Sequence, residues 1–369
     1  MTLRTATAII NRQALVDNYQ TIKQLAPNSQ ILAILKANAY GHGLERIASA
    51  LPFADAFGVA RIEEALALRA CGIVAPIVLL EGFFAAEDLP ILAVNNLQTI
   101  IHNEAQLTIL CQASLAKPLK VWLKIDSGMH RLGIDPAQFT HFYQTLQQSN
   151  NVADDIVLMS HLACADNPYS EQTQHQIALF TELTHHHNEP KSLANSAGIC
   201  AWPSSHFDWI RPGLMLYGVS PMQTTADSPC ITLTPVMTMQ SSLIAIRKIA
   251  ANEPVGYGAT WRSSKATTIG VIAIGYGDGY PRHAINGTPV LINGRRVPLV
   301  GRVSMDMITV DLGEQSQDSL GDIVILWGEQ LPIEEIATCA TTIPYEILCN
   351  ITRRVKVNIV EPMINDTNP

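Results

Sequence analysis

I-L-A-I-L-K at residues 31–36, continuing as A-N-A-Y-G-H-G through residue 43, is the stretch on which the reading of this chain turns. Its five apolar residues form a short β-rich run, and a lysine closes it. Upstream, Leu15, Tyr19, Ile22 and Leu25 recur at helical spacing, with Asn11 placed to cap the helix and Pro27 to end it. Downstream the alternation continues. β-rich runs appear at Ala56–Ala60, Ile77–Glu81, Ile91–Val94, Leu119–Asp126, Ile156–His161, Lys191–Asn195 and Trp209–Tyr217, with stretches of helical period between most of them. Eight strands alternating with helices predict an α/β fold, a parallel (β/α)8 TIM-type barrel. A doubly wound sheet is the alternative, and periodicity alone does not separate the two.

The character of the chain changes near Ser228–Pro235. Val- and Ile-rich runs follow at Val236–Ile249, Ile269–Ile274, Val290–Ile292, Arg296–Val303, Ile308–Leu312 and Ile323–Trp327, punctuated by Gly and Pro. Asn286-Gly287 and Asn293-Gly294 are tight-turn dipeptides. This region reads as a mostly antiparallel β-domain with one short helix near Ile333–Thr338. We therefore divide the chain into a barrel at 1–232 and a C-terminal β-domain at 233–369, leaving the first ~10 residues open to pairing with the latter.

A length of 369 residues, with 47% hydrophobic and 15% charged residues, suits two domains with sizeable cores. A net charge of −8 opposes nucleic acid as a partner, because phosphate binding needs a basic face. The N-terminal residues show no apolar signal region, and no run is long enough to span a membrane, so a soluble cytoplasmic protein is expected. Seven cysteines without C-x-x-C spacing argue for free thiols, buried or inert, over a disulfide framework or a zinc site. The run His185–His187 reads as a solvated helix end. Gly275–Gly279 lacks the following helix that a dinucleotide loop requires.

A parallel barrel displays its chemistry at the C-terminal ends of its strands. Lys36 ends the first run, and a lysine there suits Schiff-base formation, although a snorkelling lysine would look the same. The fifth run delivers Lys124 and Asp126 on one face, with Arg131 in the loop beyond. The sixth delivers His161, the seventh Asn195–Gly198, and the eighth Arg211–Gly213. Small residues after the last two strands suit a phosphate site, because backbone N–H groups can approach closely. Their joint placement favours a phosphorylated cofactor.

Residues 33–43 closely resemble the pyridoxal-phosphate (PLP) attachment motif of alanine racemases. The likeness continues in order through K-I-D-S-G-M-H-R-L-G at 124–133, S-H-L-A at 160–163, N-S-A-G at 195–198, R-P-G-L-M-L-Y-G at 211–218, V-G-Y-G-A-T-W at 255–261, I-G-Y-G-D-G-Y at 274–280, G-R-V-S-M-D at 301–306 and P-Y-E at 344–346. The resemblance implies a PLP-binding barrel followed by a β-domain. It also implies a homodimer in which one subunit's β-domain completes the other's site. The activity implied is interconversion of L- and D-alanine, supplying D-alanine for peptidoglycan. A serine or broad-specificity racemase of the same fold is the alternative. Arg211 opposes a fold-related decarboxylase, and the second domain opposes a barrel-only PLP-binding protein.

The resemblance also assigns roles. Lys36 and Tyr257 match the two acid/base groups, with Tyr257 coming from the partner. A phenol serves as a base when positive charge favours phenolate, and Arg131 matches the arginine that contacts this tyrosine. Arg211 matches the arginine facing the PLP ring nitrogen, with His161 near it. A guanidinium there donates to that nitrogen and discourages its protonation, limiting side reactions. Tyr40, Ser196, the backbone of Gly213 and Leu214, and Tyr345 match the phosphate cradle. Met305 and Asp306 match a loop near the substrate carboxylate. Tyr276 matches an entrance aromatic that, with Tyr345, favours a small side chain. Lys124 corresponds to a lysine carbamylated in some members, although an unmodified lysine beside an anion fits equally. Ser304 stands where some relatives carry Cys.

Overall fold

The computed structural model describes residues 3–222 and 231–360. Ser228–Cys230, where the composition begins to change, lie outside the described residues. The first strand, β1 (Thr7–Asn11), runs into a helix, Arg12–Leu25. Asn11 caps it as expected, its Oδ1 accepting the Ala14 N–H at 3.1 Å. Leu15, Tyr19 and Ile22 form its buried face, while Leu25 is half-buried.

Val16–Leu216 and Ser220–Leu233 form one compact unit. Within it β2 (Gln30–Ile34), β3 (Ala56–Val59), β4 (Ile77–Leu79), β5 (Leu97–Ile101), β6 (Val121–Lys124), β7 (Val157–Met159), β8 (Lys191–Asn195) and β9 (Trp209–Arg211) close into a barrel. Every neighbouring pair is parallel, and closure comes from Gln30 opposite Trp209 and Ile31 opposite Ile210. The strands are buried on both faces, which is why they read as unbroken apolar runs. Ile31, Leu32, Ala33, Ile77, Val78, Val121 and Leu123 are each 0% exposed, and each larger side chain contributes ~1.5–3 kcal/mol by leaving water.

Two of the sequence expectations are corrected here. Ile91–Val94 is not a strand but the end of a helix, Asp88–Val94, and the fourth barrel strand is Leu97–Ile101. A run of four apolar residues fits either element. Asn96, at φ +52, turns the chain between them. Similarly, Trp209–Tyr217 is a strand only to Arg211, and Leu214–Tyr217 forms a 3-10 turn.

The second unit comprises Met1–Leu15, Tyr217–Val219 and Thr234–Pro369. Its strands are β1 with β10 (Met237–Ile249), β11 (Pro254–Val255), β12 (Trp261–Arg262), β13 (Thr267–Ile272), β14 (Pro289–Ile292), β15 (Arg295–Pro298), β16 (Ile308–Asp311), β17 (Ile323–Trp327) and β18 (Lys356–Val360). The main sheet runs β15-β14-β17-β10-β1-β18, with β13 joined to β10 and β16 to β13. All these pairs are antiparallel except β1 with β18. Asn293 and Gly294, at φ +50 and +77, make the two-residue turn of the β14–β15 hairpin. The expected helix is Ile333–Cys339, and a further one, Pro344–Cys349, follows it.

No helix among the described residues is long and apolar enough to cross a membrane. Cys71, Cys164 and Cys349 are exposed rather than buried, and Cys230 lies outside the described residues.

Candidate active site

Beyond β2 the chain makes a left-handed turn. Ala37, Asn38, Ala39 and Tyr40 have φ of +55, +55, +52 and +50, and Gly41 has φ +77. This conformation costs an L-residue roughly 1–2 kcal/mol, so four in succession need strong external support. Internal hydrogen bonds supply part of it: Gly41 N–H to Ala37 O at 3.1 Å, Gly43 N–H to Asn38 O at 2.9 Å, and Leu44 N–H to Asn38 Oδ1 at 2.9 Å. His42 is fully buried beside the turn, and its Nδ1 lies 2.8 Å from Tyr40 O. Burial lowers its pKa to about 4, so the ring is neutral and Nδ1 donates. The turn sets Lys36 at its start and Tyr40 at its end.

Tyr40 meets the loop after β9, which is tied to the segment after β8. A Cβ built on Gly213 would lie 2.5 Å from Tyr40 Oη, so any side chain there would displace the Tyr40 ring. The Gly213 N–H donates to Ser196 Oγ at 2.8 Å. Asn195 holds Ser196 in place by accepting the Gly198 N–H at 2.9 Å. Two hydroxyls and a bare glycine backbone thus converge, with Leu214 following directly. This donor set fits a phosphate group.

Arg211, at the end of β9, is 4% exposed. It donates to Ser192 Oγ at 2.6 Å, to Leu193 O at 3.1 Å and to Ser160 O, and its Nη2 lies 3.3 Å from His161 Nδ1. A guanidinium only donates, so His161 Nδ1 accepts and its proton sits on Nε2. Burial, and then the charges of Arg211, Lys124, Arg131 and Lys36, hold the His161 pKa well below its ordinary value. Burial also works against the charge of Arg211, but a guanidinium does not deprotonate at neutral pH.

Lys124 is 6% exposed at the end of β6. Burial, reinforced by Arg211, Arg131 and Lys36, lowers its pKa to about 7, while Glu81 opposes the shift. Asp126 does not extend the strand beside it, because β6 ends at Lys124. Instead Asp126 Oδ1 accepts the N–H groups of Gly128, Met129 and His130, shaping the loop that carries the exposed Arg131. Burial would raise the Asp126 pKa, but these bonds and His130 lower it overall.

Lys36, Tyr40, Lys124, Arg131, His161, Ser196, Arg211, Gly213 and Leu214 therefore belong to the barrel unit. The sequence reading missed Glu81, Ser160 and Ser192. Glu81 was legible in the sequence, because it closes the apolar run I-V-L-L-E.

The remaining candidates belong to the β-rich unit. Tyr257 is 71% exposed, on a 3-10 turn flanked by Gly256 and Gly258 at φ +74 and +73. Tyr276 and Met305 lie on adjoining loops: the Tyr276 N–H donates to Ser304 O at 3.1 Å and the Gly277 N–H to Met305 O at 2.9 Å. Asp306 accepts from Arg354 Nη2 at 2.7 Å. Tyr345 is partly exposed on the helix Pro344–Cys349.

Known proteins resemble this chain in sequence and fold. Family models described as the alanine racemase N-terminal and C-terminal domains match residues 10–221 and 236–359. A biosynthetic alanine racemase of Escherichia coli is 54% identical over 362 residues, covering 97% of this chain and 100% of its own. The crystal structure of the biosynthetic alanine racemase from Pseudomonas aeruginosa superposes with TM-score 0.93 at 42% identity, covering 97% of this chain and 100% of its own. That of Bartonella henselae alanine racemase with covalently bound pyridoxal phosphate gives 0.88 at 33% identity, covering 96% and 99%. With both halves matched in order, and with a barrel and a β-rich unit built as in these relatives, the chain belongs to the alanine racemase family.

Proposed function

We propose that this enzyme interconverts L-alanine and D-alanine, with PLP held by Lys36, and works as a homodimer. The observation that carries the reading is the convergence of Tyr40, Ser196 and Gly213 beside the turn that presents Lys36. Tyr40, Ser196 and the Gly213–Leu214 backbone would hold the phosphate, with Tyr345 contributing a further hydroxyl. Arg211 would donate to the ring nitrogen, held by Ser160, Ser192 and Leu193 and backed by neutral His161. Bound PLP supplies an electron sink that makes the α-proton of an amino acid removable. Lys36 would exchange a proton on one face of the α-carbon, and Tyr257 of the partner subunit would exchange one on the other. One group takes the proton as base and the other returns one as acid, so configuration inverts without net change. Arg131 keeps positive charge near that phenol. Tyr276 and Met305 restrict the side chain and approach the substrate carboxylate. Lys124, with its pKa near 7, offers a neutral amine able to add carbon dioxide, releasing a proton and giving Arg131 an anionic neighbour. The product D-alanine would serve peptidoglycan synthesis.

The test is the purified protein with PLP, assayed for conversion of L-alanine, L-serine and L-lysine to their D-forms. The expected result is a visible absorbance from lysine-bound cofactor, lost in Lys36→Ala, and turnover of alanine well above the others. Tyr257→Phe should keep the absorbance and lose most activity, unequally in the two directions. No absorbance would sink the PLP reading; equal turnover of serine or lysine would remove the alanine assignment.

A further inference from the structure

We propose that Glu64 is a positioning residue for Lys36, acting as the clamp that holds the left-handed turn Ala37–Tyr40. The inference rests on the reading of Lys36 as the cofactor's anchor and goes beyond it. Glu64 lies in the first turn of the helix Ile62–Ala70 that follows β3. Its Oε1 accepts the Asn38 N–H at 3.2 Å. Its Oε2 accepts the N–H groups of Ala60 and Arg61 at 3.0 and 3.2 Å. One carboxylate thus ties the loop after β2 to the loop after β3.

The division of labour follows from where the bonds go. The hydrogen bonds through Gly41, Gly43 and Leu44 run within one segment and would move with it. The Glu64 bond fixes the turn to a separate element, and charge strengthens it relative to a neutral acceptor. Each L-residue in this conformation is disfavoured roughly 5- to 30-fold, so the segment gains by relaxing once the tie is cut. Relaxation would move Lys36 away from Tyr40, and both from Gly213. Glu63, its neighbour, is exposed and makes no such bridge.

The experiment compares holoenzyme variants by the absorbance of lysine-bound cofactor, its pH titration, PLP affinity and thermal stability. Glu64→Ala should weaken PLP binding about tenfold or more, equivalent to ~1.4 kcal/mol, and shift the pH titration of the absorbance. Glu64→Gln, which keeps one acceptor oxygen, should fall between, and it carries the comparison if the alanine variant does not fold. Asp88→Ala is the structural control. Asp88 accepts the N–H groups of Phe84 and Ala85 on the loop after β4, so its loss should lower stability while leaving PLP affinity unchanged. Adding Ala37→Gly to either Glu64 variant should recover PLP affinity, because glycine adopts φ +55 freely. Wild-type affinity in Glu64→Ala, equal loss in Asp88→Ala, or no rescue by glycine would each overturn the proposal. Absence of the absorbance in the wild type would instead sink the reading of Lys36 itself, and this inference with it.

Discussion

Gly275→Ala probes how tightly the loop bearing Tyr276 is seated. The Gly275 backbone is extended, φ −150 and ψ −168, which any residue adopts. Space is the obstacle: an added Cβ would lie 2.3 Å from both Ser304 O and Met305 O. Carbon–oxygen contacts settle near ~3.3 Å, so one loop must give about 1 Å, and both obstructing atoms are backbone. The same two oxygens accept the N–H groups of Tyr276 and Gly277 at 3.1 and 2.9 Å. Losing both bonds at ~1 kcal/mol each, with ~1–3 kcal/mol of overpacking, gives a cost of ~3–5 kcal/mol. Gly287→Ala is the counterpart: nothing lies within 4 Å of its Cβ, but its φ is +94. Its cost is backbone strain alone, ~1–2 kcal/mol. Urea unfolding of both variants, with the slope checked against wild type, measures the difference. Gly275→Ala should lose roughly two to three times as much stability as Gly287→Ala. Its kcat/KM for L-alanine should also fall more than ~10-fold, because Tyr276 and Met305 would move together. If Gly275→Ala proves as stable as Gly287→Ala, the close seating of the two loops is wrong.

Lys124 gives a pH signature. Its folded pKa of about 7 lies below the ordinary 10.5, so between these values the folded state holds fewer protons than the unfolded. The penalty is full below about pH 7 and is relieved as pH rises towards 10.5, with a ceiling near ~5 kcal/mol. Stability of cofactor-free protein minus that of Lys124→Met should therefore rise from pH 7 to 10; parallel curves would contradict the shift. Gly213→Ala places a methyl against Tyr40 Oη and should raise the PLP dissociation constant by ~10-fold or more in a spectroscopic titration. Unchanged affinity would remove Gly213 from the cradle. Arg211→Lys keeps the charge but cannot reach Ser192 Oγ, Leu193 O and Ser160 O together; stability should fall by ~2–4 kcal/mol, and an unchanged Tm would refute the role of these bonds.

What was legible in the sequence, and what was not, divides by whether a residue's position depends on its own strand or on a neighbour. Lys36, Lys124, His161 and Arg211 follow apolar runs, so the strand-end rule finds them without tertiary information. The Ile91–Val94 error has a local cause: four apolar residues carry no period, and only barrel closure shows that L-Q-T-I-I is the strand. The left-handed turn had no local signal either. Of A-N-A-Y, only Asn tolerates that conformation well, so tertiary bonds must hold the two alanines and Tyr40 there. Glu64 is the sharper case. In R-I-E-E-A-L the two glutamates are chemically identical, both suited to a helix's first turn. Glu63 faces water, while Glu64 reaches Asn38 across 26 positions of sequence. That difference arises only when β2 pairs with β3 and brings their loops side by side. A strand-end lysine announces itself, but the group that aims it is defined only by the closed barrel.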